Sequence, residues 1–372
     1  MASRYTDQTQ TVPSEAAGGA SSNCGALEVN ASATSPLLHA SGRSPLGTLT
    51  GIQILSTGAY VPSTVVRNED LAELGYDKEW ILQRTGIRER RRAAPDEATS
   101  DLAYEAAVRC LRNAGVPASE VDMILVATMT PDMATPSAAC NVQARLGVNA
   151  PAMDINAACS GLMYALVTGM QFIKTGCCRR VLVIGGDIMS RIIDPDDKKT
   201  FPLFGDGAGA VLIGPSEGDQ GFISYSLGSE GDFGELLSLP GGGSREPLTA
   251  DGLLKGRQYV RMDGRAVFKW AVRLINEVVS DVVRYAEMTM EDLDLVVLHQ
   301  ANARIIDSAI QGLGIDPEKV FVNLDRYGNT TAASIPLVLD EALAAGKLQR
   351  GDHILLNGFG AGLTWGAGVF RY

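Results

Sequence analysis

The fold of this chain is decided by a segment that occurs twice. It reads first as Ala106-Ala-Val-Arg-Cys-Leu-Arg-Asn-Ala-Gly-Val-Pro-Ala-Ser-Glu-Val-Asp-Met-Ile-Leu-Val126. It returns as Val278-Val-Ser-Asp-Val-Val-Arg-Tyr-Ala-Glu-Met-Thr-Met-Glu-Asp-Leu-Asp-Leu-Val-Val-Leu298, at an offset of 172 residues (284 − 112) and without a gap. The matched polar or small positions are Arg112 with Arg284, Ala114 with Ala286, Glu120 with Asp292, and Asp122 with Asp294.

Each copy predicts a helix, a short connection and a buried strand. The same offset brings the apolar run 181–184 onto 353–356, so two further strands match. We therefore expect two homologous α/β halves, residues 49–220 and 221–372. Because the predicted strands are apolar on both faces, a parallel sheet covered by helices is expected in each half.

Composition and charge exclude some functions. The 372 residues include 32 basic and 43 acidic side chains, a formal net charge of −11, which disfavours general binding of nucleic acid. Residues 1–48 are rich in Ser, Ala, Gly and Thr, which predicts a disordered tail. The tail has no apolar core of a signal peptide and is not basic, so a cytoplasmic location is expected; organelle import is possible but not favoured.

Cysteine and histidine usage argues against disulfide and metal frameworks. None of the six cysteines has CxxC spacing, and three histidines make a structural zinc site unexpected. The uncharged stretch 155–173 is 19 residues long (173 − 155 + 1), which touches the length of a membrane span. Its polar residues and glycines favour a buried helix instead.

Cys159 is the candidate nucleophile. It stands between a predicted strand at 150–155 and a predicted helix at 161–173. Unpaired backbone N–H groups and the dipole at a helix N-terminus favour an anion, so we expect a stabilised thiolate there. On this segment alone, a small buried hydrophobic side chain, the usual role of a free cysteine, is an equally good interpretation.

The repeat supplies partners for this thiol. His299 follows the predicted strand of the second copy, and Asn329 lies in the 325–333 loop, the rough counterpart of the Cys159 loop. Sites in α/β proteins are built on loops that follow strands, and equivalent loops of two related halves should meet. Taken alone, His299 would be a buried core histidine and Asn329 a turn residue. Together with Cys159 they predict one site.

Six motifs, in this order, resemble β-ketoacyl-[acyl-carrier-protein] synthase III. They are Trp80-Ile-Leu-Gln-Arg84, Asn156-Ala-Ala-Cys-Ser-Gly161, Phe204-Gly-Asp-Gly-Ala-Gly-Ala210, Leu298-His-Gln-Ala-Asn-Ala-Arg304, Tyr327-Gly-Asn-Thr-Thr-Ala-Ala-Ser334 and Asn357-Gly-Phe-Gly-Ala-Gly-Leu-Thr-Trp-Gly366. The glycines at 205–209 precede a predicted strand rather than open a helix, so a dinucleotide loop is rejected. The resemblance, from about residue 50 to the C-terminus, implies a thiolase-like fold with layers in the order αβαβα, and a homodimer.

The resemblance also implies the reaction. An acyl-CoA primer, acetyl-CoA being expected, would acylate Cys159, and malonyl-[acyl-carrier protein] would then lose CO₂ and condense with the acyl group. His299 and Asn329 would donate hydrogen bonds to the enolate oxygen. The backbone groups implied as the oxyanion hole are those of Cys159, Phe359, Gly360 and Ala361. No metal or redox cofactor is implied.

Two further sets of residues follow from the resemblance. CoA would be bound by Trp80, Arg84, Lys198 and Asn302, and the acidic carrier protein by Gln300, Arg304, Lys269 and Arg265. An indole and a guanidinium can enclose an adenine, whereas Lys198, which stands where the family has a second arginine, cannot stack. Without the resemblance, a buried Trp and solvated helix faces explain these residues equally well. The run 88–92 is either a CoA phosphate contact or a surface charge run.

Position 135 bears on the length of the acyl primer. Many acetyl-selective members of the family carry a bulky aromatic where this chain has Thr135, so a longer primer is a second expectation.

Other reactions of the same fold stay open. The alternatives are a type III polyketide synthase, a 3-hydroxy-3-methylglutaryl-CoA synthase-like enzyme and a relative that binds the carrier protein without catalysis. Neither nucleic acid nor a membrane is expected as a partner.

Overall fold

The computed structural model describes residues 44–372, and its framework is two five-stranded β-sheets. In chain order the strands are β1 (Leu46–Thr50), β2 (Ile52–Tyr60), β3 (Thr64–Arg67), β4 (Glu89–Arg92), β5 (Met123–Ala127), β6 (Ala152–Ile155), β7 (Val181–Asp187), β8 (Gly207–Pro215), β9 (Gly221–Ser229), β10 (Leu237–Ser238), β11 (Arg261–Met262), β12 (Leu295–Leu298), β13 (His353–Gly360) and β14 (Thr364–Arg371). The α-helices are α1 (Lys78–Thr85), α2 (Thr99–Ala114), α3 (Ala138–Leu146), α4 (Gly161–Lys174), α5 (Ala250–Leu254), α6 (Gly264–Tyr285), α7 (Ala303–Leu313), α8 (Leu324–Tyr327) and α9 (Ser334–Ala344).

The strand orders of the two sheets confirm the duplication. The first sheet runs β2-β8-β7-β5-β6 and the second runs β1-β9-β14-β13-β12, so β5, β7, β8 and β2 correspond to β12, β13, β14 and β9. The offset of 172 carries the start of β5 onto the start of β12, and that of β7 onto that of β13. Asp122 and Asp294 occupy equivalent places, where each carboxylate accepts backbone N–H bonds from the start of the neighbouring strand.

The expectation of a parallel sheet in each half was right for only part of each sheet, because both sheets are mixed. Only β5 with β6 and β7, and β12 with β13, pair in parallel within the two large sheets. Strands β8 and β14 run antiparallel to both of their neighbours. The strands are apolar on both faces because helices cover both sides of each sheet, and that burial carries no information about strand direction.

Five layers follow from where the apolar side chains pack. Helices α4 and α9 lie between the sheets, and Leu166 and Val338 belong to the central core there. Helices α2 and α3 cover the outer face of the first sheet, and α6 and α7 cover that of the second. The uncharged stretch that begins near Ile155 is thus mostly α4, a buried helix. No helix of residues 44–372 is long and apolar enough to cross a membrane.

Strand β1 corrects the end of the predicted tail. The prediction of disorder falls mainly on residues 1–43, which lie outside the described residues. Leu46–Thr50, however, pairs antiparallel with β9 and buries Leu46 and Leu49. Those two leucines were hidden in a segment of otherwise small and polar composition. The strand joins the sheet of the C-terminal half, although residues 46–48 were assigned to the tail and residues 49–50 to the N-terminal half.

Candidate active site

Cys159 lies in a tight turn between β6 and α4. We call residues Asn156–Gly161 the N-half turn. The side-chain Oδ1 of Asn156 accepts a hydrogen bond from the N–H of Ala158 at 3.2 Å, and Ala158 has a φ of 47°. A 3₁₀ turn at Ala158–Ser160 then leads into α4, which begins at Gly161. Cys159 is therefore presented at a helix N-terminus, as the sequence predicts.

The N-half turn is fixed to the second sheet. Thr364 on β14 contacts the Ser160 hydroxyl at 2.8 Å and the carbonyl oxygen of Ala157 at 3.0 Å. Gly360 at the end of β13 lies so close that a Cβ there would be 2.7 Å from the backbone nitrogen of Cys159. The predicted oxyanion segment, residues 359–361, therefore lies directly against the nucleophile, and position 360 needs glycine.

Asn329 and Ser334 bound a second turn, which repeats the geometry of the first. We call residues 329–334 the C-half turn. The Oδ1 of Asn329 accepts from the N–H of Thr331 at 2.9 Å, and Thr331 has a φ of 52°. A 3₁₀ turn at Thr331–Ala333 leads into α9. The offset between the two turns is 173 (329 − 156), one more than in the strands, and Ala332 stands where the first turn has Cys159.

A glycine-rich segment holds Asn329 in place. The N–H of Asn329 donates to the carbonyl of Leu203 at 2.9 Å, and the N–H of Gly205 donates to the carbonyl of Asn329 at 3.0 Å. A side chain at position 205 would collide with the carbonyl oxygen of Tyr327. The motif 204–210 thus serves backbone packing at the site, and its glycines at 207 and 209 lie within β8 itself.

His299 follows β12 and is completely enclosed. Its Nδ1 lies 2.7 Å from the Ser334 hydroxyl, and its ring packs edge-on against Phe359 with ring centres 5.2 Å apart. Burial lowers the pKa of His299 to about 3, so the ring is neutral at physiological pH. The bond at Nδ1 leaves Nε2 as the nitrogen that can act on a ligand.

One cavity of about 100 Å³ brings the three predicted residues together. Cys159, His299 and Asn329 all line it, although they come from three separate loops. Most of the remaining lining is apolar: Leu203, Phe204, Leu237, Met262, Val267, Phe268, Trp270, Ile305 and Phe359. An enclosed apolar wall with a few polar groups suits a thioester carbonyl and strengthens hydrogen bonds to developing charge.

The expected resting thiolate was wrong. Burial, with a smaller contribution from the Asp187 carboxyl, raises the pKa of Cys159 to about 12. Cys159 is only 5% exposed, and the loss of hydration disfavours the charged thiolate. The thiol is neutral at rest, so its proton has to leave as the bond to carbon forms.

The expected CoA residues lie on and near two neighbouring helices. Trp80 on α1 is 44% exposed, which leaves its indole face available, and Arg84 follows one turn later. Asn302 caps α7, lines the cavity, and donates from its side chain to the Arg84 carbonyl at 3.1 Å. Lys198 instead donates to the carbonyl of Gly75 at 3.0 Å, five residues before Trp80. Because Trp80 is this exposed, its interpretation as a buried tryptophan was wrong.

The expected carrier-protein residues divide into two groups. Arg265 and Lys269 on α6 and Arg304 on α7 are exposed, and Arg304 stacks over Phe268, a residue of the cavity wall, at 5.3 Å. Gln300 was a wrong prediction: it is buried, donates to the Leu298 carbonyl and accepts from the N–H of Asn323. A side chain so enclosed cannot meet a protein partner.

The charge run 88–92 is mostly structural. Arg90 on β4 is completely buried and donates to the carbonyls of Val66 and Pro202 and to Asn68. Because Arg90 is buried, neither a surface charge run nor a phosphate site describes the whole run 88–92. Arg88 at its start is exposed. Among the described residues no cluster of three or more His, Cys, Asp or Glu side chains could hold a metal ion. Five described cysteines are free thiols, and Cys24 lies outside the described residues.

Asp187 and Ser334 are residues near the site to which the sequence analysis assigned no role. Asp187 ends the apolar strand β7 and Ser334 begins α9, and both are buried. A signal existed for Asp187, since a polar residue at the end of an apolar strand is what singled out His299. Ser334 ends the motif at 327–334, but its contact could not be predicted, because only the fold brings position 334 to the His299 ring.

Comparisons with known proteins agree with this geometry. The family model for 3-oxoacyl-[acyl-carrier-protein] synthase III matches residues 153–231, and that for its C-terminal region matches residues 283–372. A β-ketoacyl-[acyl-carrier-protein] synthase III of Rhodopirellula baltica is 58% identical over 345 residues, which cover 88% of this chain and 100% of the relative. One from Desulfitobacterium hafniense is 46% identical over 326 residues, covering 87% and 98%.

Solved structures give the same result. The crystal structure of 3-oxoacyl-[acyl-carrier-protein] synthase III from Aquifex aeolicus aligns with a TM-score of 0.80 and 45% identity, over 87% of this chain and 100% of that one. The priming β-ketosynthase of the R1128 polyketide biosynthetic pathway aligns with a TM-score of 0.80 and 34% identity, over 86% and 95%.

Proposed function

Since the chain belongs to the β-ketoacyl-[acyl-carrier-protein] synthase III family, we propose that Cys159, His299 and Asn329 carry out the two half-reactions of that family. The enzyme is an acyltransferase that condenses an acyl-CoA with malonyl-[acyl-carrier protein], the initiating step of fatty acid synthesis. The observation that carries the assignment of residues is their position around one cavity.

Acyl transfer to Cys159 is the first half-reaction. The sulfur attacks the thioester carbonyl, the bond between that carbon and the CoA sulfur breaks, and the thiol proton ends on CoA, which leaves as the free thiol. In our proposal, backbone N–H groups of Cys159 and of the 359–361 segment bind the oxyanion, and one such donor contributes about 10²–10³ in rate. The contact of Gly360 with Cys159 supports this placement.

Decarboxylation and condensation form the second half-reaction. The C–C bond of the malonyl group breaks, CO₂ leaves, and the electron pair is held as an enolate. A neutral His299 suits this step, because it donates Nε2–H when the Ser334 hydroxyl donates to Nδ1, and Asn329 donates from Nδ2. The enolate carbon then attacks the acyl carbon, and the Cys159 sulfur leaves and regains a proton.

The substrates approach, in our proposal, along α1 and α7. Trp80 and Arg84 bind the adenine end of CoA, while Arg265, Lys269 and Arg304 receive the acidic carrier protein at the cavity mouth. The stacking of Arg304 on Phe268 supports this, since it joins the basic surface to the cavity wall. Trp80→Ala should raise KM for the acyl-CoA about 5- to 160-fold, as loss of base stacking costs about 1–3 kcal/mol. Arg304→Ala should raise KM for the carrier protein alone.

The primer is proposed to be acetyl-CoA, with longer acyl groups admitted beside Thr135. Initial rates with acetyl-, butyryl- and octanoyl-CoA measure this directly. A steep fall beyond acetyl would overturn the second part of the proposal. We also propose that the enzyme acts as a homodimer in the cytoplasm, and sedimentation of the full chain tests the dimer.

Intact mass spectrometry tests the central assignment. Acetyl-CoA should add one acetyl group to the wild-type chain and none to Cys159→Ala, and malonyl-[acyl-carrier protein] should release it as product. Absence of an adduct on Cys159 would refute the assignment. Release of the adduct by malonyl-CoA alone, with no carrier protein, would favour the type III polyketide synthase alternative.

A further inference from the structure

Asp187 is a fully buried carboxylate that the mechanism above does not use. It ends β7 and lies between the first sheet and the C-half turn. Its Oδ1 accepts from the Thr128 hydroxyl at 2.9 Å, from the N–H groups of Met129 at 2.8 Å and of Thr130 at 3.1 Å, and from the Thr130 hydroxyl at 2.9 Å. Its Oδ2 accepts from the hydroxyl of Thr331.

Thr331 connects this carboxylate to Asn329. The residue is β-branched and has a φ of 52°, a conformation that costs about 1–3 kcal/mol and persists only where surrounding contacts enforce it. Its N–H donates to Oδ1 of Asn329 at 2.9 Å. Only an oxygen can accept that bond, so the amide of Asn329 is oriented with Oδ1 in the turn and Nδ2 free for a ligand in the cavity.

We propose that Asp187 is a positioning residue, which acts through Thr331 to hold the Asn329 amide with its NH₂ group towards the enolate oxygen. The inference rests on the proposed function and adds a residue to it. Four donors hold Oδ1 on the side of β5 and leave Oδ2 to hold Thr331. The carboxylate therefore fixes the C-half turn relative to the first sheet.

The N-half turn shows that the backbone does not need such a contact. Ala158 adopts the same positive φ and makes the same type of bond to Asn156, yet its methyl group can make no hydrogen bond. The bond in that turn is 3.2 Å, against 2.9 Å in the C-half turn. The link to Asp187 is thus specific to the turn that carries the hydrogen-bond donor of the second half-reaction.

Thr331→Val tests the proposal, with Thr331→Ser as its matched control. Valine keeps the shape and the β-branch but removes the hydroxyl, whereas serine keeps the hydroxyl. In Thr331→Val we expect condensation with malonyl-[acyl-carrier protein] to fall about 10- to 100-fold, the scale of a misplaced catalytic group. Acetylation of Cys159 by acetyl-CoA should stay within about twofold of wild type. Thr331→Ser should keep both rates near wild type.

Two further variants separate positioning from stability. Asp187→Asn should show the same split between half-reactions, and Thr364→Val, which loosens the N-half turn, should show the reverse split. Equal loss of both half-reactions in Thr331→Val together with a lower Tm would mean a merely structural role, and unchanged condensation would mean none. If the wild-type chain forms no acyl-Cys159, the proposed function itself fails. That outcome is distinct from both outcomes for Thr331→Val.

Discussion

The N-half turn (Asn156–Gly161) and the C-half turn (Asn329–Ser334) share a backbone and differ in what they carry. Both place an asparagine Oδ1 on the N–H two residues later, both have a positive φ at the third position, and both lead through a 3₁₀ turn into a buried helix. The first carries the thiol of Cys159, and the second has Ala332 there.

The difference shows how a duplicated fold can divide a reaction between its halves. In the C-half turn the groups that matter stand on either side of Ala332: Asn329 at its start, and Ser334, which contacts His299, at its end. One copy of the turn presents a nucleophile, and the other positions hydrogen-bond donors. The following variants test this division, from the largest expected effect to the smallest.

Moving the nucleophile should fail. Cys159→Ala should lower turnover by at least about 10⁴-fold, because removal of a covalent nucleophile leaves only binding and the oxyanion hole. The double variant Cys159→Ala with Ala332→Cys should form no acetyl adduct, since Ala332 is buried and does not line the cavity. Intact mass after acetyl-CoA decides it, and an adduct on residue 332 would show that the two turns are interchangeable.

Removing an asparagine should matter in one turn only. Asn329→Ala should slow malonyl decarboxylation about 10²–10³-fold, as for one lost oxyanion donor, and leave Cys159 acetylation nearly unchanged. Asn156→Ala is the matched control, which loses one turn hydrogen bond and about 1 kcal/mol of stability. Carbon dioxide release by each variant gives the answer. A comparable loss in Asn156→Ala would contradict the division.

Replacing one glycine beside each turn should disturb the two half-reactions separately. In Gly360→Ala the new Cβ would press on the Cys159 backbone, and in Gly185→Ala it would collide with the Ala332 carbonyl oxygen. Each change should cost about 1–3 kcal/mol of unfolding free energy. We expect the first to impair acetylation more and the second to impair condensation more. Single-turnover rates of each half-reaction and denaturant unfolding measure both effects; the opposite pattern would be evidence against it.

Burial of His299 and of Cys159 should make the free energy of unfolding depend on pH in opposite directions. The pKa of His299 is lowered to about 3, so between that value and about 6.5 the unfolded chain binds a proton that the folded chain does not. Stability from neutral His299 is therefore lost as pH falls through that window, by up to about 1.4 kcal/mol per pH unit. The pKa of Cys159 is raised to about 12, so stability from its neutral thiol is lost as pH rises above about 8.5.

Unfolding curves of His299→Asn and Cys159→Ala, each compared with wild type across pH, measure these two contributions. The difference for His299→Asn should shrink towards acid, and that for Cys159→Ala should shrink towards alkali. If the difference in unfolding free energy between wild type and a variant does not change with pH, the group removed in that variant titrates as it does in the unfolded chain.

Part of the site could be predicted because two of its residues follow strands. Cys159 comes shortly after β6 and His299 directly after β12, whereas Asn329 follows the short helix α8 and was found through its rough correspondence with the Cys159 loop. Gln300 lies next to His299 in the same motif, yet it is buried and bonds to Asn323. Proximity in a motif could not reveal that, since burial depends on α8 and the loop before it, which lie more than twenty residues away in the chain.

The sequence by itself determined the duplication, the helix and strands of each repeated segment, and the three residues that meet in the cavity. It could do so because hydrophobic periodicity is local to each segment, and because the constant offset appears when two segments of the sequence are compared. The tertiary structure alone decided the mixed strand directions, the neutral thiol of Cys159, the neutral His299 and the link from Asp187 to Asn329. Those properties depend on solvent exclusion and on hydrogen bonds between residues distant in the chain, and the pattern of one segment does not record them.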